Sequence, residues 1–446
     1  MAVAPLTRRS IFAQAWPIML GQTTVPLVGL VDTAVIGRTG DATALAGVAL
    51  GTTVINFIFW TFGFLRMGMT GMTAQAEGSG DRAEVEAMLL RGLALGFGLG
   101  CALFVLQIAL IPLAFALLAG GKGLDAAASG YVSARFLGAP ASLSVFALNG
   151  WLLGLGRTRA ALALQIVMNL VNVALDLLFV WHFGLGARGV GLGTACAEWT
   201  ALVTGTLIAT RYTDGLGVLR GLVSRALFAR AALKRLFAVN GDIMIRTIAL
   251  LLLFAWFTNA GARLGATTLA ANQVLMQFVS VSAFVLDGFA FTAESRIGQA
   301  IGAGSASAMR RAIRLTGEFC LASGVAFAAV FLIVGQPIID FLATNADVRA
   351  IAGDMLVFAA IVPAIGAPAW LLDGIFIGAT RGRALRNAAI LATALYIATD
   401  LLFRRFGENG VWWALGLSYI YRAAALGAHL PALLLSVDLA HGERAT

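Results

Sequence analysis

The sequence predicts an all-α integral membrane protein with twelve transmembrane helices in two parallel six-helix bundles, related by pseudo-two-fold symmetry about the membrane normal. Three observations predict it. The 446-residue chain is 60% hydrophobic and only 12% charged. Its apolar runs are long enough to cross a bilayer as helices. Its two halves repeat at a shift of 224 residues.

Soluble domains carry about 25% charged residues, so a chain this apolar has to place most of its surface in lipid. There the backbone is satisfied only by helices or closed barrels. A barrel would show short strands of alternating polarity, whereas these runs are unbroken. With about 20 apolar residues per crossing, the spans fall near 12–37, 46–76, 88–119, 130–155, 160–183, 188–210, 237–260, 267–300, 311–335, 350–378, 384–403 and 411–436. The second and eighth are long and contain glycine, which suits tilted or bent helices. Arg8 and Arg9 precede a first apolar segment containing Trp16, Pro17 and Pro26, which reads as a retained span and not as a cleaved signal.

Charge sets the orientation. With both termini cytoplasmic, 20 of the 31 Lys and Arg residues lie on the inner side and 7 on the outer, as the positive-inside rule demands. The net charge of +9 is thus spread over all the inner loops, and it gives no nucleic-acid patch. The longest polar stretch, 211–236, reads as a cytoplasmic linker between an N-terminal six-helix bundle, 1–210, and a C-terminal bundle with a short tail, 237–446. Cys101, Cys196 and Cys320 sit in apolar runs without C-x-x-C spacing and read as structural thiols.

The repeat is gapless over its matching segments. Leu148-Asn149-Gly150 falls on Leu372-Asp373-Gly374, Gly154 on Gly378, Arg157-Thr158-Arg159-Ala160 on Arg381-Gly382-Arg383-Ala384, and Asp176-Leu177-Leu178-Phe179 on Asp400-Leu401-Leu402-Phe403. Because each half has an even number of spans, both enter from one side, which makes them parallel repeats. Two such bundles facing each other across a cleft would rock to give alternating access.

An ionisable side chain inside a bilayer costs about 3 kcal/mol or more, so each one calls for a reason. Asp32 lies near the outer end of span 1 and Asp176 near the outer end of span 5. At 1.5 Å per residue both fall roughly 8–10 Å below that surface. Asn169, Asn172 and Asp176 share one helical face, and Thr194 enters from span 6 at a similar depth. Two acids with amide and hydroxyl oxygens suit a proton or Na⁺; the bland alternative is a set of interhelical hydrogen bonds. The repeat carries Asp176 onto Asp400 but Asp32 onto Trp256 and Asn172 onto Tyr396, which places the ion site in the first half. Asp400, with Arg404 at i+4, reads as a helix-end ion pair, and Asp242 with Arg246 reads likewise. Asn149, Asp287 and Asp373 are further polar groups within spans. Arg422 is near the middle of span 12, and the sequence does not name its partner. Met67, Met168 and Met276, together with Met69, Met72 and Met244, either line an adaptable cavity or serve in packing.

Enzyme signatures are missing. Gly184-Leu185-Gly186-Ala187-Arg188-Gly189 satisfies G-x-G-x-x-G but sits in an outer loop with no strand before it. The chain has no Walker A, H-E-x-x-H or G-x-S-x-G, and its three histidines are far apart. We therefore expect no catalytic residues, no cofactor and no ATP.

The run Pro26-Leu27-Val28-Gly29-Leu30-Val31-Asp32-Thr33-Ala34-Val35-Ile36-Gly37 resembles the first span of the multidrug and toxic compound extrusion (MATE) family. Asn272-Gln273, Leu286-Asp287-Gly288-Phe289, Ala293-Glu294 and Leu372 through Thr380 resemble its DinF-type branch. The likeness covers nearly the whole chain. The major facilitators share the 6+6 plan, but Gly78-Ser79-Gly80-Asp81-Arg82-Ala83-Glu84 does not fit their loop motif. The MATE resemblance implies secondary active efflux of amphipathic or cationic small molecules by a monomer in a bacterial inner membrane. It also implies cation coupling at Asp32, Asn172 and Asp176, by H⁺ in the DinF-type branch, with Na⁺ as the alternative at the same three residues. Asn149, Asp287, Asp373, Met67, Met168 and Met276 are the expected substrate-cavity residues. A lipid-linked precursor flippase is the related alternative, and an intramembrane enzyme the alternative of another class.

Overall fold

A computed structural model describes residues 6–118, 122–215, 217 and 229–445. Residues 216 and 218–228 of the expected linker lie outside the described residues. All regular structure among the described residues is helical.

The first half opens with α1 (Arg8–Gly37). The expected second span is two helices, α2 (Ala42–Thr61) and α3 (Phe64–Ser79), broken at Phe62-Gly63. Next comes α4 (Arg82–Leu118). The expected fourth span is α5 (Lys122–Phe136) followed by α6 (Ala139–Gly154), bent by 54°. Pro140 in the first turn of α6 accounts for the restart, since proline lacks the N–H that an unbroken helix would need there. Then come α7 (Thr158–Asp176), a π-helical stretch over Leu177–His182, and α8 (Gly186–Ala209). The second half runs through α9 (Arg230–Leu264), α10 (Ala266–Gly302), α11 (Ala306–Leu342), α12 (Ala346–Gly378), α13 (Gly382–Phe403) and α14 (Gly407–Gly427) to the short α15 (Leu430–Ala445).

Side chains placed just before the helices start them. Asp41 Oδ1 accepts from the Ala44 N–H at 2.9 Å ahead of α2, and Asp81 Oδ1 accepts from the Glu84 N–H at 2.9 Å ahead of α4. Asn345 Oδ1 accepts from Asp347 and Val348 ahead of α12. Each bond satisfies an amide that the helix leaves open. Ten of the described helical stretches are long and apolar enough to cross a membrane, or eleven with the bent α5–α6 pair as one span. One of these stretches, Gly382–Asp438, folds back as α13 packed on α14, so the helices are consistent with the twelve expected crossings.

The chain divides into two compact units. One comprises Met1–Met19, Glu77–Gly80 and Ala238–Thr446; the other comprises Leu20–Ala76 and Asp81–Phe237. The repeat reappears in the contacts inside each unit. A methyl built on Gly150 in α6 would lie 2.3 Å from the Arg66 carbonyl oxygen of α3, and one on Gly374 in α12 would lie 2.3 Å from the Ala290 carbonyl oxygen of α10. Gly154 against Thr70 and Gly378 against Glu294 continue both crossings one turn on. In all four contacts the partners differ by the same 224 positions. Small-xxx-small spacing lets the two backbones touch, and this close approach is why the glycines sit where they do. Within the unit that includes Ala238–Thr446, the core gathers on Phe257, Tyr396, Trp412 and Tyr419, with Phe257 and Trp412 edge to face at 5.3 Å.

Candidate functional site

The first-half polar cluster is built at the junction of α1, α7 and α8. Asp176 is the last residue of α7 before the π stretch. That register change, closed by the Phe183 N–H on the Leu178 carbonyl at 3.1 Å, is of a kind that recurs at functional sites. It also aims Trp181 at α1, where its indole N–H donates to the Val35 carbonyl at 3.0 Å. Val35 is in the last turn of α1, where carbonyls have no partner within the helix. Asp32 lies on the same helix, one turn earlier.

The side chains of Asp32 and Asp176 lie within hydrogen-bonding reach of each other. Asp176 is fully buried and Asn172 almost so. Asn172 Nδ2 donates to Asp176 Oδ2 at 3.1 Å and to Thr194 Oγ1 at 3.1 Å, while the Thr194 hydroxyl donates to the Val190 carbonyl at 3.0 Å. Asp32 Oδ1, Asp176 Oδ1 and Asn172 Oδ1 are buried and receive no hydrogen bond from a described donor. Four of the five residues read from the sequence as coupling groups therefore form one cluster with acceptor oxygens to spare. The fifth, Asn169, accepts from Gln165 at 2.9 Å, away from these bonds. Gly193 of α8 closes the cluster on one side: a methyl there would sit 2.0 Å from Asp176 Oδ1.

Two charged residues beside this cluster escaped the sequence reading. Arg135, in the last turn of α5, pairs with Glu198 of α8 at 2.9 Å, and both are buried. Arg135 is near enough to Asp32 and Asp176 to act on both electrostatically, and its guanidinium lies 5.5 Å from the Phe59 ring centre. Gly138, at the α5–α6 bend, leaves the room that Glu198 fills, since a methyl there would be 2.2 Å from Glu198 Oε2. The available signal was one charge well inside each of spans 4 and 6, Arg135 and Glu198.

The second half treats its matching positions differently. Asp400 accepts from the Trp256 indole N–H at 2.9 Å and pairs with Arg263 at 2.8 Å. Trp256 and Asp400 thus meet where Asp32 and Asp176 meet in the first half. The partner of Asp400 is Arg263 from α9, which corrects the expected i+4 pairing with Arg404. The expected pairing of Asp242 with Arg246 within α9 also gives way to interhelical contacts. Asp242 pairs with Arg386 at 2.7 Å, and Arg246 bonds to Asp373. Arg422 is 3.8 Å from the same Asp373 and lies over the rings of Trp370 and Tyr419. Apart from Arg422 and Asp373, these partners are more than a hundred residues apart in sequence, so no local spacing could name them.

The expected cavity residues fall in both units. Asn149, half-buried on α6, has its Oδ1 without a hydrogen-bond partner among the described residues; Met67 on α3 and Met168 on α7 are half-buried in the same unit. Asp287 and Met276 are half-buried on α10, and Asp373 is buried on α12, in the other unit.

The MatE family profile matches residues 17–178 and again 243–402, which are the two repeat halves. The chain is 36% identical over 431 residues to DNA damage-inducible protein F of Escherichia coli (strain K12), covering 96% of this chain and 93% of that protein. It is 27% identical over 365 residues to the multidrug resistance protein MdtK of Edwardsiella ictaluri, covering 79% and 78%. Among solved structures, the Vibrio cholerae MATE transporter VcmN in its bent form superposes with a TM-score of 0.88 at 19% identity, covering 97% of this chain and 98% of that one. A MOP superfamily transporter from Pyrococcus furiosus gives 0.85 at 18% identity, covering 97% and 96%.

Proposed function

The chain belongs to the MatE family, whose members are transporters and not enzymes, and we propose that within it this protein is a proton-coupled exporter of amphipathic, preferentially cationic small molecules. The observation that carries this reading is the Asp32–Asp176 carboxyl pair, in which Asp176 is buried and accepts from Asn172, itself anchored on Thr194. Two carboxyls in hydrogen-bonding reach can share one proton. With the proton bound they attract; without it two anions face each other in a medium of low dielectric. Occupancy then biases the position of the outer half of α1 relative to α7, and a ligand that favours one conformation drives the exchange. The same oxygens would suit Na⁺ as the alternative coupling ion.

In this reading the protein sits in the inner membrane with both termini cytoplasmic, which the distribution of basic residues supports. The case for cationic cargo is narrower than the sequence suggested. It rests on Asp32 and Asp176, because Asp373 already meets two arginines. Those arginines favour, as a second reading, an anionic cargo such as a lipid-linked precursor.

Efflux from proteoliposomes is the test. A pH gradient in Na⁺-free buffer should drive export of a cationic dye. Export driven by a Na⁺ gradient alone would overturn proton coupling. Export of a lipid pyrophosphate in place of the dye would favour the second reading.

A further inference from the structure

The N-terminal turns of α1 and α11 line an open cavity of about 740 Å³ that holds Arg8, Arg9, Arg310, Arg311 and Arg314, with a single acid, Glu318. The acid is already engaged: Arg8 Nε is 2.9 Å and Arg314 Nε 3.0 Å from its two oxygens. Arg310 pairs with Asp438 at 2.5 Å. Arg9 and Arg311 have no ion-pair or hydrogen-bond partner among the described residues. The cavity therefore carries unspent positive charge and guanidinium donors that suit a phosphate geometrically.

The positive-inside rule alone does not produce this cluster. It acts on every inner loop, yet the repeat places Arg310, Arg311 and Arg314 on Glu86, Ala87 and Leu90, and Arg8 and Arg9 on Ala232 and Leu233. The matching ends of α4 and α9 carry Arg82, Arg230, Lys234 and Arg235 together with Glu84 and Glu86, so the five-arginine cluster with one acid is particular to this end. An apolar shelf adjoins it. Phe12, 51% exposed, lies one turn along α1 from Arg8, 6.3 Å from Phe319, and Phe319 stacks on Phe289 at 5.3 Å. Arginines bordering exposed aromatic surface at the end of a membrane helix match an amphiphile with an anionic head. A free anion would make no use of the shelf.

We propose that this cavity binds the phosphate headgroup of an anionic phospholipid, with Arg9 and Arg311 on the phosphate and an acyl chain along Phe12 and Phe319. The bound lipid bridges the first turns of α1 and α11, the helix end opposite to Asp32.

Native mass spectrometry of the delipidated full-length protein tests this, with phosphatidylglycerol, phosphatidylcholine or inorganic phosphate added. Phosphatidylglycerol should bind at least tenfold more tightly than phosphatidylcholine. The double variant R9Q/R311Q should bind it about 30-fold more weakly, as losing two arginines at a membrane surface implies. The control R82Q/R159Q, exposed arginines outside the cavity, should leave binding unchanged. Equal binding of the two lipids would overturn the proposal. So would an equal loss in the control, which would mean diffuse surface attraction. Displacement of the lipid by inorganic phosphate at equal concentration would make this a free-anion site and overturn the lipid assignment.

Discussion

Replacing Gly193 with alanine should uncouple transport without removing any titratable group. The new methyl would stand 2.0 Å from Asp176 Oδ1, whereas ordinary contact begins at 3.4 Å. The carboxyl would have to retreat by about 1.4 Å, and α8 has little room to adjust because the Asp176 backbone nitrogen is itself only 3.1 Å from the new carbon. A shift of that size stretches the 3.1 Å bond from Asn172 beyond useful hydrogen-bond length and moves Asp176 relative to Asp32. Overpacking of this kind costs about 1–3 kcal/mol in stability. Displacements of about 1 Å in a working site cost about a hundredfold in rate. We therefore expect a folded, inserted protein whose pH-gradient-driven dye efflux falls at least tenfold. Gly98→Ala is the control, since nothing lies within 4 Å of the added carbon. Efflux should be measured in proteoliposomes and folding by the thermal midpoint in detergent. A Gly193→Ala protein that couples as well as the wild type would show that the geometry of Asp176 does not matter, and would refute the reasoning.

Gly150→Ala and Gly374→Ala should each lower stability by about 1–3 kcal/mol and by similar amounts, because each methyl meets a backbone oxygen at 2.3 Å; unequal midpoints in a denaturation series would argue against equivalent crossings. Gly80→Ala should cost about 1–2 kcal/mol although nothing touches the added carbon, since Gly80 has φ +74° in the left-handed region; Gly98→Ala, inside a helix, should instead gain up to about 1 kcal/mol. The opposite signs can be read in one thermal-shift experiment.

The helical crossings and the repeat were legible because both are written in sequence at fixed intervals: apolar length gives the span, and a shift of 224 pairs Gly150 with Gly374. The breaks were less legible. The run over 46–76 stays apolar through Phe62-Gly63, so length alone read one helix where α2 and α3 stand; Pro140 was a usable sign of the α5–α6 bend. The π stretch after Asp176 left no mark, because Leu177–His182 suits either kind of helix turn. Asp32, Asn172, Asp176 and Thr194 could be grouped from depth and helical face, which are local quantities. Arg135–Glu198, Arg246–Asp373 and Arg263–Asp400 could not, since each joins helices that are distant in sequence and only packing brings them together. The proposal of a first-half coupling site draws on Trp256 standing at the repeat position of Asp32, and in the structure that tryptophan bonds to Asp400.

The most direct test of the account compares Asp32→Asn with Asp400→Asn in proteoliposomes carrying a pH gradient. Asparagine keeps the size and much of the hydrogen bonding of aspartate but cannot exchange a proton at this position. Asp32→Asn should abolish gradient-driven efflux while the protein remains folded and inserted. Asp400→Asn, whose carboxylate is bound by Trp256 and Arg263, should retain most of the wild-type rate. Normal efflux in Asp32→Asn with an inactive Asp400→Asn would place coupling in the other half and contradict the account.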